Sequence, residues 1–132
     1  MENRIKLKIT TISSSNPVNV IKGEGVFRQK DGKTLVTHQD SDGNKTSFII
    51  TDGRILLTRK SPFYQLKIPV TKGEKLHGIM GEESVFTVIG KEACFEVDKK
   101  CGRIYVEYTL PDLSDEVTDF KIDAEFEFLK GN

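Results

Sequence analysis

Little in this chain advertises chemistry. Of 132 residues only two are cysteine and two histidine. Cys94 and Cys101, with six residues between them, are too few for a disulfide scaffold and match neither a CxxC redox motif nor a zinc knuckle. Reduced thiols are the expectation; a hairpin turning near Asp98-Lys99-Lys100 is the one arrangement that would bring the sulfurs together across strands. His38 and His77 are isolated in the sequence and no third ligand accompanies them, so no metal is expected. Formal net charge is zero and the pI about 6.7, which removes the positive field that drives nucleic-acid binding. No stretch approaches the roughly twenty apolar residues of a spanning helix. Residues 1–11 alternate charged and apolar side chains instead of forming an apolar leader. The expectation is a cytoplasmic protein that meets neither membrane nor nucleic acid. Gly23-Glu24-Gly25 and Gly78-Ile79-Met80-Gly81 lack the helix-opening context of phosphate loops, so they read as backbone bends and no cofactor is expected.

What is present is strand and turn. Asp-Gly occurs at Asp31-Gly32, Asp42-Gly43 and Asp52-Gly53, each between short runs rich in Val, Ile, Thr and Phe. That dipeptide supplies the positive φ of tight strand reversals, so three hairpins are expected in succession. Ile5, Leu7 and Ile9 alternate with Lys6, Lys8 and Thr10, a half-buried strand. Further strands follow at 18–30, 33–39, 45–51 and 54–60, then beyond Ser61-Pro62 at 64–70, and weakly at 75–80. The remainder are 84–89, 92–97, 103–110 and a last one in which Phe120, Ile122, Ala124, Phe126 and Phe128 share one face. Gly23 and Gly25 mark a bulge or sharp bend within the second strand. The longest acidic loop is 111–118. No segment shows a sustained helical period.

Charge is divided along the chain. Residues 1–75 carry 14 Lys and Arg against 7 Asp and Glu, and residues 76–132 carry 6 against 13. If the first and last strands pair, Lys6 and Lys8 meet Asp123, Glu125 and Glu127, each match worth ~0.2–1 kcal/mol. Such pairing closes the sheet and removes its edges. The fold class is therefore all-β: a single domain over 1–132, an antiparallel up-and-down barrel of about eight to ten strands. A two-sheet sandwich is the alternative, disfavoured because short turns make sequential strands neighbours.

The stretch from Asn44 to Leu110 resembles the YwiB-like family of bacterial proteins. The likeness lies in Lys45-Thr46 before Phe48-Ile49-Ile50, in Leu57-Thr58-Arg59-Lys60, in the run from Leu66 to Gly73, in Thr87 to Gly90, and in Gly102-Arg103-Ile104 leading to Tyr108. The resemblance implies a calycin-like, lipocalin-type barrel and no established activity, so no site residue comes with it.

Three side chains stand out as candidate ligand contacts. Arg59 is in phase with the apolar Ile55 and Leu57, which points a guanidinium toward the lumen, where charge is costly unless a carboxylate or ligand answers it. Tyr64 and Tyr108 lie on apolar faces, each adding one hydroxyl to a ring. Each of the three also fits a purely structural role, as an ion pair or core packing. Cys94 shares a face with Glu92 and Glu96, which would raise its pKa and blunt it as a nucleophile. No acid, base and nucleophile lie at motif spacing, so an enzyme is disfavoured. The first functional reading is a barrel that binds a small apolar or anionic ligand. The alternative is a structural or protein-interaction barrel, filled by its own eight phenylalanines, which meets a partner or a second copy as a homodimer. Lumen volume separates the two, with about 300 Å³ or more favouring binding.

Overall fold

A computed structural model describes residues 2–14, 18–112 and 118–129. Ten strands run in chain order: β1 (Glu2–Ser13), β2 (Asn19–Lys30), β3 (Lys33–Gln39), β4 (Lys45–Thr51), β5 (Arg54–Lys60), β6 (Gln65–Thr71), β7 (Lys75–Met80), β8 (Ser84–Val97), β9 (Cys101–Leu110) and β10 (Thr118–Phe128). Each pairs antiparallel with its chain neighbours, and β10 returns to β1, so the sheet closes as a barrel. The sandwich is excluded, and the up-and-down order follows from connections too short for any other.

The closing seam has the expected charge match. Lys6 stands opposite Glu127 and Lys8 opposite Glu125. Asp123 instead faces Thr10, and its carboxylate takes a forked pair of hydrogen bonds from Arg103 at 2.8 and 2.7 Å. Inside, alternate residues from every strand but β7 make one core, including Ile5, Phe27, Val36, Phe48, Ile104 and Ala124.

Several local expectations need correction. Residues 84–97 form one strand instead of two; a bulge between Gly90 and Glu92 absorbs the irregularity against β9. Gly90 crosses the turn after β6 closely enough that a Cβ there would lie 2.2 Å from the Thr71 carbonyl oxygen. Gly23 and Gly25 form no bulge against β1, with which β2 keeps unbroken register. They are glycine because a Cβ at Gly23 would strike the His38 ring at 2.5 Å and one at Gly25 the Thr37 carbonyl oxygen at 2.4 Å. Asp31-Gly32 and Asp52-Gly53 are two-residue turns with positive φ at both positions. Asp42-Gly43 lies in a longer connection, where the Asp40 carboxylate accepts the Asp42 and Asn44 amides, both at 2.9 Å. The expected acidic loop falls largely outside the described residues.

The barrel therefore has two unlike ends. At one end the connections are 31–32, 52–53, 72–74 and 98–100; at the other they are 14–18, 40–44, 61–64, 81–83 and 111–117. The end with tight turns is filled by an aromatic cluster. Phe27 meets Phe128 edge-on with centroids 5.1 Å apart, and Phe126 packs against both at 5.6 and 5.8 Å. Gly102 gives Phe126 room, since a Cβ there would lie 2.2 Å from its ring.

Candidate functional site

The end with long connections holds a cavity of about 210 Å³. Its walls follow from strand register. Phe48, Leu57 and Ile68 align across β4, β5 and β6 as one row. One step toward the mouth, Thr46, Arg59, Leu66 and Met80 align across β4 to β7 as the next. Ile9 and Thr11 from β1, Phe86 from β8, Tyr108 and Leu110 from β9, and Phe120 and Ile122 from β10 complete the lining. The volume falls short of the roughly 300 Å³ or more that would favour binding over a filled interior. The lumen is thus divided, packed at one end and empty over a small space at the other.

Arg59 points where the alternation of β5 places it, into this cavity. It makes no ion pair or side-chain hydrogen bond among the described residues, and no acidic side chain of those residues lines the space around it. Tyr108 lies on the same cavity, only 3% exposed. Burial pushes its phenol well above the usual range, opposed in part by the nearby Arg59 charge, so the hydroxyl stays protonated and can donate. It has no hydrogen-bond partner among the described residues and reaches the cavity space instead of being sealed in packing. The Tyr108 ring stacks on Phe120 at 5.2 Å, which fixes its direction.

Tyr64 is not part of this group. It sits in the β5–β6 connection, 44% exposed, and does not line the cavity. The turn that Ser61 organises, its hydroxyl accepting the Phe63 and Tyr64 amides at 3.1 Å, carries the ring past the rim. Thr46 also lines the cavity, which the sequence reading did not single out. It is a buried polar residue directly across from Arg59, and its hydroxyl has no partner among the described residues. Its inward phase with Phe48 and Ile50 was the available signal.

The other titratable candidates stand apart from the cavity. His38 is buried, and its Nδ1–H donates to the Glu24 carbonyl at 2.9 Å; His77 is exposed on β7. Among the described residues no group of His, Cys, Asp and Glu is arranged to hold a metal. Cys94 and Cys101 are free and exposed. Cys94 faces Tyr105, four residues from Cys101 and so about 13 Å along the strand, which rules out the cross-strand bridge. A hydrogen bond to Glu92 and then burial raise the Cys94 pKa, while the Asp98 charge raises that of Cys101. Neither thiol is activated.

Larger depressions are open to solvent, among them one of about 310 Å³ beside Cys94, Glu96, Tyr105 and Arg103, where the guanidinium is already paired with Asp123. One of about 760 Å³ lies over the β2–β1–β10 seam, where Lys6, Lys8 and Lys22 alternate with Glu24, Glu125 and Glu127. Another of about 420 Å³ lies between the Asp31-Gly32 and Asp52-Gly53 turns. None of these combines enclosure with an unanswered charge, so the smaller cavity is the better site despite its volume. Its lip is apolar: Phe63 is 94% exposed and Val85 64%, with Ile79 and Met80 close by on β7. Ile79 stands directly opposite Val85, and the Gly81 amide donates to the Gln65 carbonyl at 2.8 Å, which joins the two loops of this lip.

No protein-family model matches the sequence, and no curated protein does. By structure the chain is similar to the ywiB protein from Bacillus subtilis, with a TM-score of 0.78 over 97% of this chain and 93% of that one, at 15% sequence identity. A likeness at that identity is one of fold. The all-β architecture and the YwiB-like neighbour read from strand-and-turn residues both agree with it. Among the described residues no helix is long and apolar enough to cross a membrane.

Proposed function

We propose that this protein is a small-molecule binding barrel whose ligand occupies the cavity beneath Arg59. The supporting observation is a charged side chain directed into an apolar enclosure with no protein counter-charge among the described residues. Inside a filled barrel such a charge is a cost without return. In a binding site it is the usual pattern: apolar walls with a few convergent polar groups, here Arg59, Tyr108 and Thr46. A calycin-like assignment and a cytoplasmic, bacterial setting belong to the same reading, since barrels of this kind hold ligands at the mouth.

Native mass spectrometry of the purified protein tests it. A small molecule that leaves on Arg59→Ala, with the far-ultraviolet circular dichroism unchanged, supports binding. A bare mass together with self-association supports the second reading, an interaction barrel that meets a second copy. The exposed Phe63 and Val85 on the lip favour that alternative.

A further inference from the structure

Resting on that reading, we infer that the cavity selects a small monocarboxylic acid, held body inward with its carboxylate at the mouth on Arg59. Four observations converge on this class. The first is sign: among the described residues the lining contributes one cation and no anion, so a neutral or cationic ligand would bring the guanidinium no counter-charge. The second is count. One guanidinium neutralises one negative charge, and a doubly charged phosphate would bury its surplus against Phe86, Leu110 and Phe120. The guanidinium fork also matches the two oxygens of a carboxylate.

The third is position. Arg59 aligns with Thr46 and Leu66 in the row nearest the β5–β6 connection, while Phe48, Leu57 and Ile68 stand one row deeper. The charge therefore belongs at the entrance and the apolar body below it. Tyr108 and Thr46, both without hydrogen-bond partners among the described residues, supply hydroxyls to the same end. The fourth is size. A space of about 210 Å³ equals the liquid volume of about seven waters. It admits a benzoate-sized or short branched acid and excludes a long acyl chain, because Phe27, Phe126 and Phe128 fill the lumen beyond.

The test is a nuclear magnetic resonance titration of the full chain with benzoate, with benzyl alcohol as its neutral counterpart, and with palmitate. Amide shifts and the Arg59 Nε–H signal are both followed. The expected result is that benzoate binds at least tenfold more tightly than benzyl alcohol and moves the Arg59 signal. Arg59→Gln should erase that preference while leaving benzyl alcohol binding in place, and Lys60→Gln, an exposed charge beside it, should change neither. Equal binding of benzoate and benzyl alcohol by the wild type would overturn the charge assignment and leave the binding cavity standing. Tighter binding of palmitate would overturn the size assignment. Absence of shifts at cavity residues with all three compounds would overturn both this inference and the binding reading beneath it.

Discussion

The two ends of this barrel are built from the same alternating strands and differ in what the alternation places inside. Toward the tight turns, inward positions are Phe27, Phe126 and Phe128, three rings in mutual contact. Toward the long connections they are Thr46, Arg59 and Tyr108 around an unfilled space. Buried area stabilises at about 25 cal/mol per Å², so the first end contributes the fold's rigidity. The second end gives up packing and leaves a charge unanswered. On the proposed reading that division separates stability from ligand binding within one continuous sheet, and substitutions should respond differently on its two sides.

The largest expected effect is at the packed end. Phe126→Ala removes the ring that Gly102 accommodates and should cost about 3–5 kcal/mol in urea unfolding. At the same end, Gly102→Ala forces a methyl against that ring and should cost about 1–3 kcal/mol. If either substitution proved neutral, the aromatic cluster would not be the part that holds the barrel together.

The open end should answer with the opposite sign. Arg59→Met replaces a partly exposed cation directed into an apolar cavity with an apolar chain of similar reach, and should raise stability by about 0.5–2 kcal/mol while abolishing benzoate binding. A large loss of stability in the same denaturation experiment would mean that Arg59 is a structural residue after all.

Acid should also loosen the open end. Asp119 accepts the Thr109 hydroxyl at 2.5 Å, exchanges backbone contacts with Ser14, and lies 3.5 Å from Lys91. Asp112 accepts the Thr87 amide at 2.7 Å. These hydrogen bonds hold both carboxyls below their ordinary value of 3.8. A depressed carboxylate contributes stability that is fully present above the unfolded value and lost as pH falls through the folded one. The difference in melting temperature between wild type and Asp119→Asn should therefore be constant above pH 3.8 and shrink below it. A difference independent of pH would sever this link.

The smallest effect is expected on the seam. Lys8→Ala removes a charge that faces Glu125 in register without any ion pair within 4 Å among the described residues, and should change stability by no more than about 0.5 kcal/mol.

How much of this was legible in the sequence depended on range. Period-two alternation exposed nearly every strand, because burial on one face is a local pattern. The opposed charges of the first and last strands anticipated closure. Arg59 and Tyr108 were found because each breaks its own strand's pattern. Their convergence, and the part played by Thr46, came from register between distant strands, which no single strand encodes. Tyr64 was misplaced because Ser61 turns the chain before the alternation resumes at Leu66. The close approaches that require the glycines of β2 were not legible, because His38 and the Thr37 carbonyl, which occupy that space, lie on the next strand.

The division of the lumen can be tested without knowing any ligand, by titrating dissolved xenon while recording methyl resonances. Xenon enters apolar cavities and finds no room in close-packed ones. The expected result is that methyl signals of Leu57, Ile68, Leu110 and Ile122, which line the space, move together and saturate, while those of Ile5, Val36 and Ile104 stay fixed. Fixed signals at all seven, or equal movement of both groups, would contradict a barrel packed at one end and open at the other.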